Sequence, residues 1–174
     1  MAFTEAELKK ALTHLAFDVY HFRCYARLHR EGQLQRCAPT VSQAVMYALL
    51  LHLRLLLDFF YGPPMKDDFW VGHFNVLPGF ASNFPPITDP KPDEARALSN
   101  NLNKWLAHLT ATRWEKPQPT MAFYDRYFDG IERILISFEA ALPDDVRQVF
   151  NKAHTRWEKS HPAHLIPPAI SPGT

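Results

Sequence analysis

Apolar residues recur at helical spacing through most of the chain. Near the N-terminus they are separated by steps of three and four residues, which places them on one face of an α-helix. This first apolar face consists of Leu8, Leu12, Leu15, Val19, Phe22 and Ala26. Because Thr4 and Glu7 stand at the spacing of a capping box, the pattern predicts a helix that begins there and runs to about Arg30.

A second predicted helix is apolar nearly all round. Thr40 and Gln43 repeat the capping-box spacing, and the helix runs from there to Tyr61, where Gly62 and the prolines after it stop it. A helix of this kind is central in its own chain, or is buried by a second subunit as well. We therefore expect a homodimer that forms through this helix or its neighbours.

Three further helices are predicted downstream. The first spans Asp93 to about Arg113, the second runs from about Thr120 to Ala141, and the third begins after Pro143. No strand pattern competes with these helices. The sequence therefore predicts an all-α domain over residues 1–159, built as an antiparallel up-and-down bundle of four long helices plus a fifth C-terminal helix.

Two segments lack a helical period. Residues 63–92 carry seven of the 15 prolines and are expected to form a long loop, while residues 160–174 are expected to form a Pro-rich flexible tail. The long loop is rich in aromatic residues, which predicts that it packs down on the bundle. These residues are Phe69, Trp70, Phe74, Phe80 and Phe84.

Charge and cysteine content narrow the function classes. The net charge is +1, whereas a dedicated nucleic-acid binder usually shows a clear basic excess, so any such binding would need a local patch. Cys24 and Cys37 are interpreted as free thiols in a reducing compartment, which predicts a cytoplasmic protein. The second helix contains His52, Arg54 and Asp58, which are costly at a bilayer centre, so we expect no membrane span.

The third helix carries the strongest candidate site. On a helical wheel Asn101, His108 and Thr112 lie along one edge of its apolar stripe. Arg113 lies along the opposite edge, and Lys104 lies further from the stripe. A histidine at the edge of the apolar stripe, beside amides and hydroxyls, can serve as a general base, as a metal ligand or as a hydrogen-bond donor to phosphate. The alternative is a histidine that hydrogen-bonds across a helix interface.

Arg54 and Asp58 form a second candidate set on the second helix. They stand four residues apart, so the simplest interpretation is that they pair with each other. In the functional alternative, Arg54 faces a pocket shared with the third helix. Asp67 and Asp68 follow this helix, where they could bind a cation or cap a turn.

The first helix offers candidate metal ligands. His14, Asp18 and His21 recur at steps of four and three, and imidazole and carboxylate groups at helical spacing can chelate zinc or a similar ion. The alternative is that these residues form a solvated flank. The chain has no H-E-x-x-H, C-x-x-C, G-x-S-x-G or glycine-rich phosphate motif, and we expect no bound cofactor.

Three stretches, "HLRLLLDFF", "KDDFW" and "NKWLAHLTATR", carry a resemblance to a known group. Together they resemble an uncharacterised group of small all-helical bacterial proteins that share an N-K-x-x-A-H-L-T-x-x-R helix. The resemblance covers roughly residues 45–115 and implies positions of interest without roles. These positions are His52, Arg54, Asp67, Asp68, Asn103, Lys104, His108, Thr110 and Arg113.

A more distant resemblance is to HEPN-type helical domains, many of which are ribonucleases or toxin components. Their motif places a histidine four to six residues after an arginine on one helix, whereas His108 here follows Asn103 and Lys104. The resemblance implies binding of RNA, a nucleotide or another phosphate ligand, with His108 as acid or base and Arg54 or Arg113 stabilising charge. A non-catalytic dimerising interaction module and a metal-binding helical bundle remain the alternatives.

Overall fold

The computed structural model of the protein describes residues 3–62, 69–107 and 121–160. All regular structure in these ranges is helical, which confirms the all-α prediction. The α-helices are α1 (Glu5–Arg30), α2 (Pro39–Tyr61), the four-residue α3 (Phe80–Asn83), α4 (Pro92–Ala107), α5 (Met121–Ala141) and α6 (Asp144–Ser160). Short 3-10 helices occupy Leu34–Arg36 and Val71–Val76.

The predicted capping box at the start of α1 is confirmed. The backbone N–H of Glu7 donates to the Thr4 hydroxyl at 3.3 Å, and the backbone N–H of Thr4 donates to the Glu7 carboxylate at 2.7 Å. Each residue thus satisfies a backbone donor that the first turn of a helix leaves without a partner. The helix ends at Arg30, as the periodicity predicts.

The capping box predicted for α2 is wrong. The helix begins at Pro39, its N-cap is Ala38, and no side chain caps it. Proline suits the first helical position because its φ is already fixed and its missing N–H would have no partner there. Thr40 therefore lies inside the helix. The predicted end at Tyr61 is confirmed, and the N–H of Gly62 donates to the carbonyl of Asp58 at 2.8 Å.

The segment before α4 contains more regular structure than predicted. It holds the 3-10 helix Val71–Val76 and α3, both too short for a helical period to show in the sequence. The packing prediction for its aromatic residues is confirmed. Phe74 and Phe80 are fully buried, and Phe69, Trp70 and Phe84 pack partly buried against the same core.

Helix α2 lies at the centre of the contacts between helices. It contacts α1 and α4, and α1 contacts α6 on another side. By length and mean hydropathy (1.6 over its most apolar window) α2 could cross a membrane, but half of that window is buried within the protein. A core helix of a soluble protein has the same properties.

Candidate functional site

A cleft of about 910 Å³ lies between α1, α2, α4 and the segment that follows α2. This volume falls within the range of small-molecule sites in proteins, roughly 300–1,000 Å³. Its polar lining comes from three helices, and its apolar lining comes largely from aromatic rings. The cleft therefore combines ionic and aromatic surfaces in one space.

Helix α1 contributes one ionic face. Glu7, Lys10, His14 and Asp18 line the cleft at successive steps of three, four and four residues. Side chains at these spacings lie one above another on a helix, so the face follows directly from the sequence. Two of its members, His14 and Asp18, were identified as metal candidates, whereas Glu7 and Lys10 were missed.

Helix α2 contributes Arg54 and Asp58. The Arg54 Nε lies 3.3 Å from the Asp58 carboxylate, and the Ser99 hydroxyl of α4 donates to the other oxygen of that carboxylate. Both residues also line the cleft. The two interpretations of Arg54 are thus compatible, since it pairs with Asp58 and faces a cleft that α4 helps to form.

The Arg54 Nε has an unusual environment. It is buried and makes no hydrogen bond with any described residue, although the arginine side chain as a whole is 25 % exposed. Its contact with Asp58 is an ion pair without hydrogen-bond geometry. A buried donor without an acceptor costs about 1–3 kcal/mol.

Asp18 forms a hydrogen bond with a buried histidine of α2. The His52 Nδ1 donates to the Asp18 carboxylate at 3.0 Å, and His52 is only 8 % exposed. His21 stacks on His52 with ring centroids 5.3 Å apart. His52 therefore faces α1, while Arg54 lines the cleft.

One end of the cleft is formed by Phe3, Phe69 and Trp70, which we call the aromatic wall. The rings of Phe3 and Phe69 lie 4.2 Å apart, and the Trp70 indole N–H donates to His73 Nε2 at 3.0 Å. Burial lowers the pKa of His73, which favours the neutral ring that can accept this bond. A Cβ on Gly72 would clash with the Trp70 ring, so glycine is needed for this close packing.

The carboxylates of the cleft already have donors. Glu7 accepts from Thr4, Asp18 from His52 and Asp58 from Ser99. The Lys10 and His14 side chains line the same cleft and make no ion pair or hydrogen bond with the residues the structure describes. Lys10 and His14 are therefore open to a new partner, and Lys10 is a cation.

The face of α4 that lines the cleft differs from the candidate face with Asn101 that the helical wheel predicted. Asn100 and Asn103 line it, whereas Asn101 and Lys104 are exposed and lie outside its lining. The other candidates on the third helix lie beyond the described residues. These are His108, Thr110, Thr112 and Arg113, and Asp67 and Asp68 also lie outside the described ranges.

The metal candidates do not converge. In the described ranges, no group of three or more His, Cys, Asp or Glu side chains is placed to hold a metal ion. His14 and Asp18 line the cleft, while His21 packs against His52.

Comparisons with known proteins give no further information on the site. No protein-family model matches this chain, and searches of curated proteins and solved structures return no match. The chemistry of the cleft residues therefore carries the functional argument.

Proposed function

We propose that the protein binds a small phosphate-bearing ligand in the cleft between α1, α2 and α4. The observation that carries this proposal is the Arg54 side chain, which lines the cleft, is 25 % exposed and contacts Asp58 without hydrogen-bond geometry. A guanidinium presents its donors in a planar fork that matches phosphate oxygens. A phosphate bound in the cleft would supply acceptors for this guanidinium.

Free hydrogen-bond donors support an anionic ligand, although the lining carries three carboxylates against the two fixed cations Lys10 and Arg54. Lys10 and His14 line the cleft without ionic partners in the described part of the chain, while the three lining carboxylates already have donors. Charge-assisted hydrogen bonds to phosphate are roughly twice as strong as neutral ones. Binding is the function that these groups support. Ribonuclease chemistry at His108 and Arg113 is a separate hypothesis on residues outside the described ranges.

We also infer that the long helices form the antiparallel up-and-down, HEPN-like bundle expected from the sequence. Supporting contacts join the early part of one helix to the late part of another. Arg96, near the start of α4, donates to the carbonyl of Tyr61 at the end of α2. His29, near the end of α1, contacts Asp125 near the start of α5 at 3.1 Å. Two unpaired cysteines fit a cytoplasmic location.

The test is calorimetric titration with pyrophosphate, ribose 5-phosphate and adenosine 5′-monophosphate. We expect at least one to bind, and Arg54→Gln to weaken that binding about 10- to 100-fold, as loss of a charge-assisted bond requires. The matched control is Arg133→Gln, which removes a 60 % exposed arginine paired with Asp89 away from the cleft. Absence of binding by all three probes, or equal effects of the two variants, would refute the proposal.

A second candidate function is a dimerising interaction module, with a second copy of the chain on α2. The exposed apolar residues of this helix support it. Val41, Leu51 and Leu55 are 45 %, 41 % and 37 % exposed. With Ala44 and Ala48 they follow the 3-4-3-4 spacing of a coiled-coil seam, which a second copy of the same helix can match.

Sedimentation equilibrium tests this candidate. We expect a dimer in the micromolar range that Leu51→Gln weakens, because the substitution places a polar group in the seam. Ile136→Gln is the control, since Ile136 is 57 % exposed on α5. A chain that stays monomeric at high concentration would remove this candidate and leave the ligand proposal intact.

A further inference from the structure

The two ends of the cleft differ in chemistry. On α1 the lining residues run from Glu7 to Asp18, a rise of roughly 16 Å. Phe3 closely precedes α1, and Phe69 and Trp70 follow the end of α2, so the aromatic wall closes the Glu7 end. Arg54 lies about two turns before the end of α2, towards Asp18.

The aromatic wall is only partly covered by the protein. Phe3, Phe69 and Trp70 all have intermediate exposure and line the cleft. The Trp70 ring is also fixed in place, by its bond to His73 and by its close packing over Gly72. A fixed and partly exposed aromatic surface favours stacking by a planar ring, because stacking removes apolar area from water without ordering the wall.

We infer that the ligand of the cleft is a nucleotide-sized aromatic phosphate, with its ring on the aromatic wall and its phosphate at Arg54. This inference rests on the proposed phosphate-binding function. An inorganic phosphate would leave the aromatic wall in water, and a simple apolar molecule would leave the Arg54 guanidinium without a new acceptor. A molecule that carries both groups satisfies both ends of the cleft.

Helix α4 supplies polar groups between the two ends. Ser99 binds Asp58, which places Asn103, one turn later, beside the level of Arg54. Asn100 and Asn103 both line the cleft, and each amide offers donors and an acceptor. These amides suit the hydroxyl groups of a sugar that links ring and phosphate.

The experiment compares adenosine 5′-monophosphate with ribose 5-phosphate, in which an anomeric hydroxyl stands in place of the base. We expect the nucleotide to bind the wild-type protein at least about tenfold more tightly, as stacking on an aromatic side chain allows. Trp70→Leu should reduce nucleotide affinity towards that of ribose 5-phosphate and leave ribose 5-phosphate binding unchanged. Phe123→Leu is the control, because Phe123 is an exposed ring on α5 that does not line the cleft.

A second variant provides the same test if Trp70→Leu does not fold. Gly72→Ala keeps the indole and forces it away from its position, so it should lower nucleotide affinity in the same selective way. Thermal unfolding of each variant confirms that it folds before titration.

The outcomes separate this inference from the proposed function. If the two probes bind equally tightly and both depend on Arg54, the ligand needs no aromatic ring. This inference would then be overturned, while the proposed phosphate binding would stand. If Trp70→Leu lowers the affinity for both probes equally in a folded protein, the inference is also overturned, because Trp70 would then contribute to binding of the sugar phosphate and not of the base. A short single-stranded RNA that binds more tightly than the nucleotide, with the same Trp70 dependence, would replace the small molecule by RNA.

Discussion

At the scale of single residues, His154 on α6 is a partly buried titrating group outside the cleft. Its Nε2 makes no hydrogen bond with a described residue, and its Nδ1 lies 3.6 Å from Glu158. Burial lowers the pKa of His154, and the attraction of Glu158 only partly offsets this effect. The folded protein therefore favours the neutral ring.

The pH dependence of stability follows from this shift. Because the unfolded chain takes up the proton more readily, the stabilising effect is present above the ordinary histidine pKa of about 6.5 and is lost as the pH falls below it. We expect the free energy of unfolding to fall between about pH 7 and pH 5, and His154→Gln to reduce this fall. Exposed His14→Gln is the control in urea denaturation. An unchanged pH dependence in His154→Gln would contradict the expectation.

The sequence identified only part of the set of charged and amide groups that line the cleft. Arg54 and Asp58 were recognisable because charged residues on an apolar helix need a partner. Asn100 was missed, since the helical wheel gives the angle between residues but not which flank the neighbouring helix leaves open. Lys10 was missed because an exposed lysine on a helix flank has no signal of its own. Its spacing to His14 and Asp18 could have revealed this face.

At the scale of elements, the two N-termini of α1 and α2 make a matched comparison. Thr4 caps α1 through its hydroxyl, whereas Thr40 is an exposed residue inside α2 that caps nothing. We expect Thr4→Ala to lower the free energy of unfolding by about 1 kcal/mol. Thr40→Ala should change it by less than about 0.5 kcal/mol. Urea denaturation of both variants measures this, and an equal loss would contradict the assignment of the α2 start.

The same comparison shows what local sequence signals can predict. Hydrophobic periodicity located the long helices, because each buries one continuous face over several turns. Capping signals were less decisive. Thr40 and Gln43 have the capping-box spacing, but Pro39 already provides a favourable first position, and the helix begins there instead. The short helix α3 escaped detection because four residues are too few to show a period.

At the scale of the whole molecule, one aromatic cluster joins the bundle to the segment before α4. Its centre is Phe138 on α5, which is fully buried. Ring centroids within 6.1 Å of it belong to Phe59, Phe60, Phe74, Phe80 and Phe84. Phe59 and Phe74 also line the cleft. The sequence predicted that the rings of the loop pack on the bundle, but their meeting at one residue depends on helix packing over long sequence separations.

This cluster predicts that the bundle, the aromatic segment and the cleft lose stability together. Phe138→Ala removes a ring that several others surround, so we expect a loss of about 3–5 kcal/mol in the free energy of unfolding. Ile136→Ala on the same helix is the control and should cost less than about 1 kcal/mol, because Ile136 is 57 % exposed. If the segment before α4 were only loosely attached, tryptophan fluorescence and circular dichroism would report separate transitions. A shared centre at Phe138 requires instead that Trp70 fluorescence, read in a background with Trp105, Trp114 and Trp157 replaced by Phe, and helical content change in a single transition, shifted equally for both probes by Phe138→Ala.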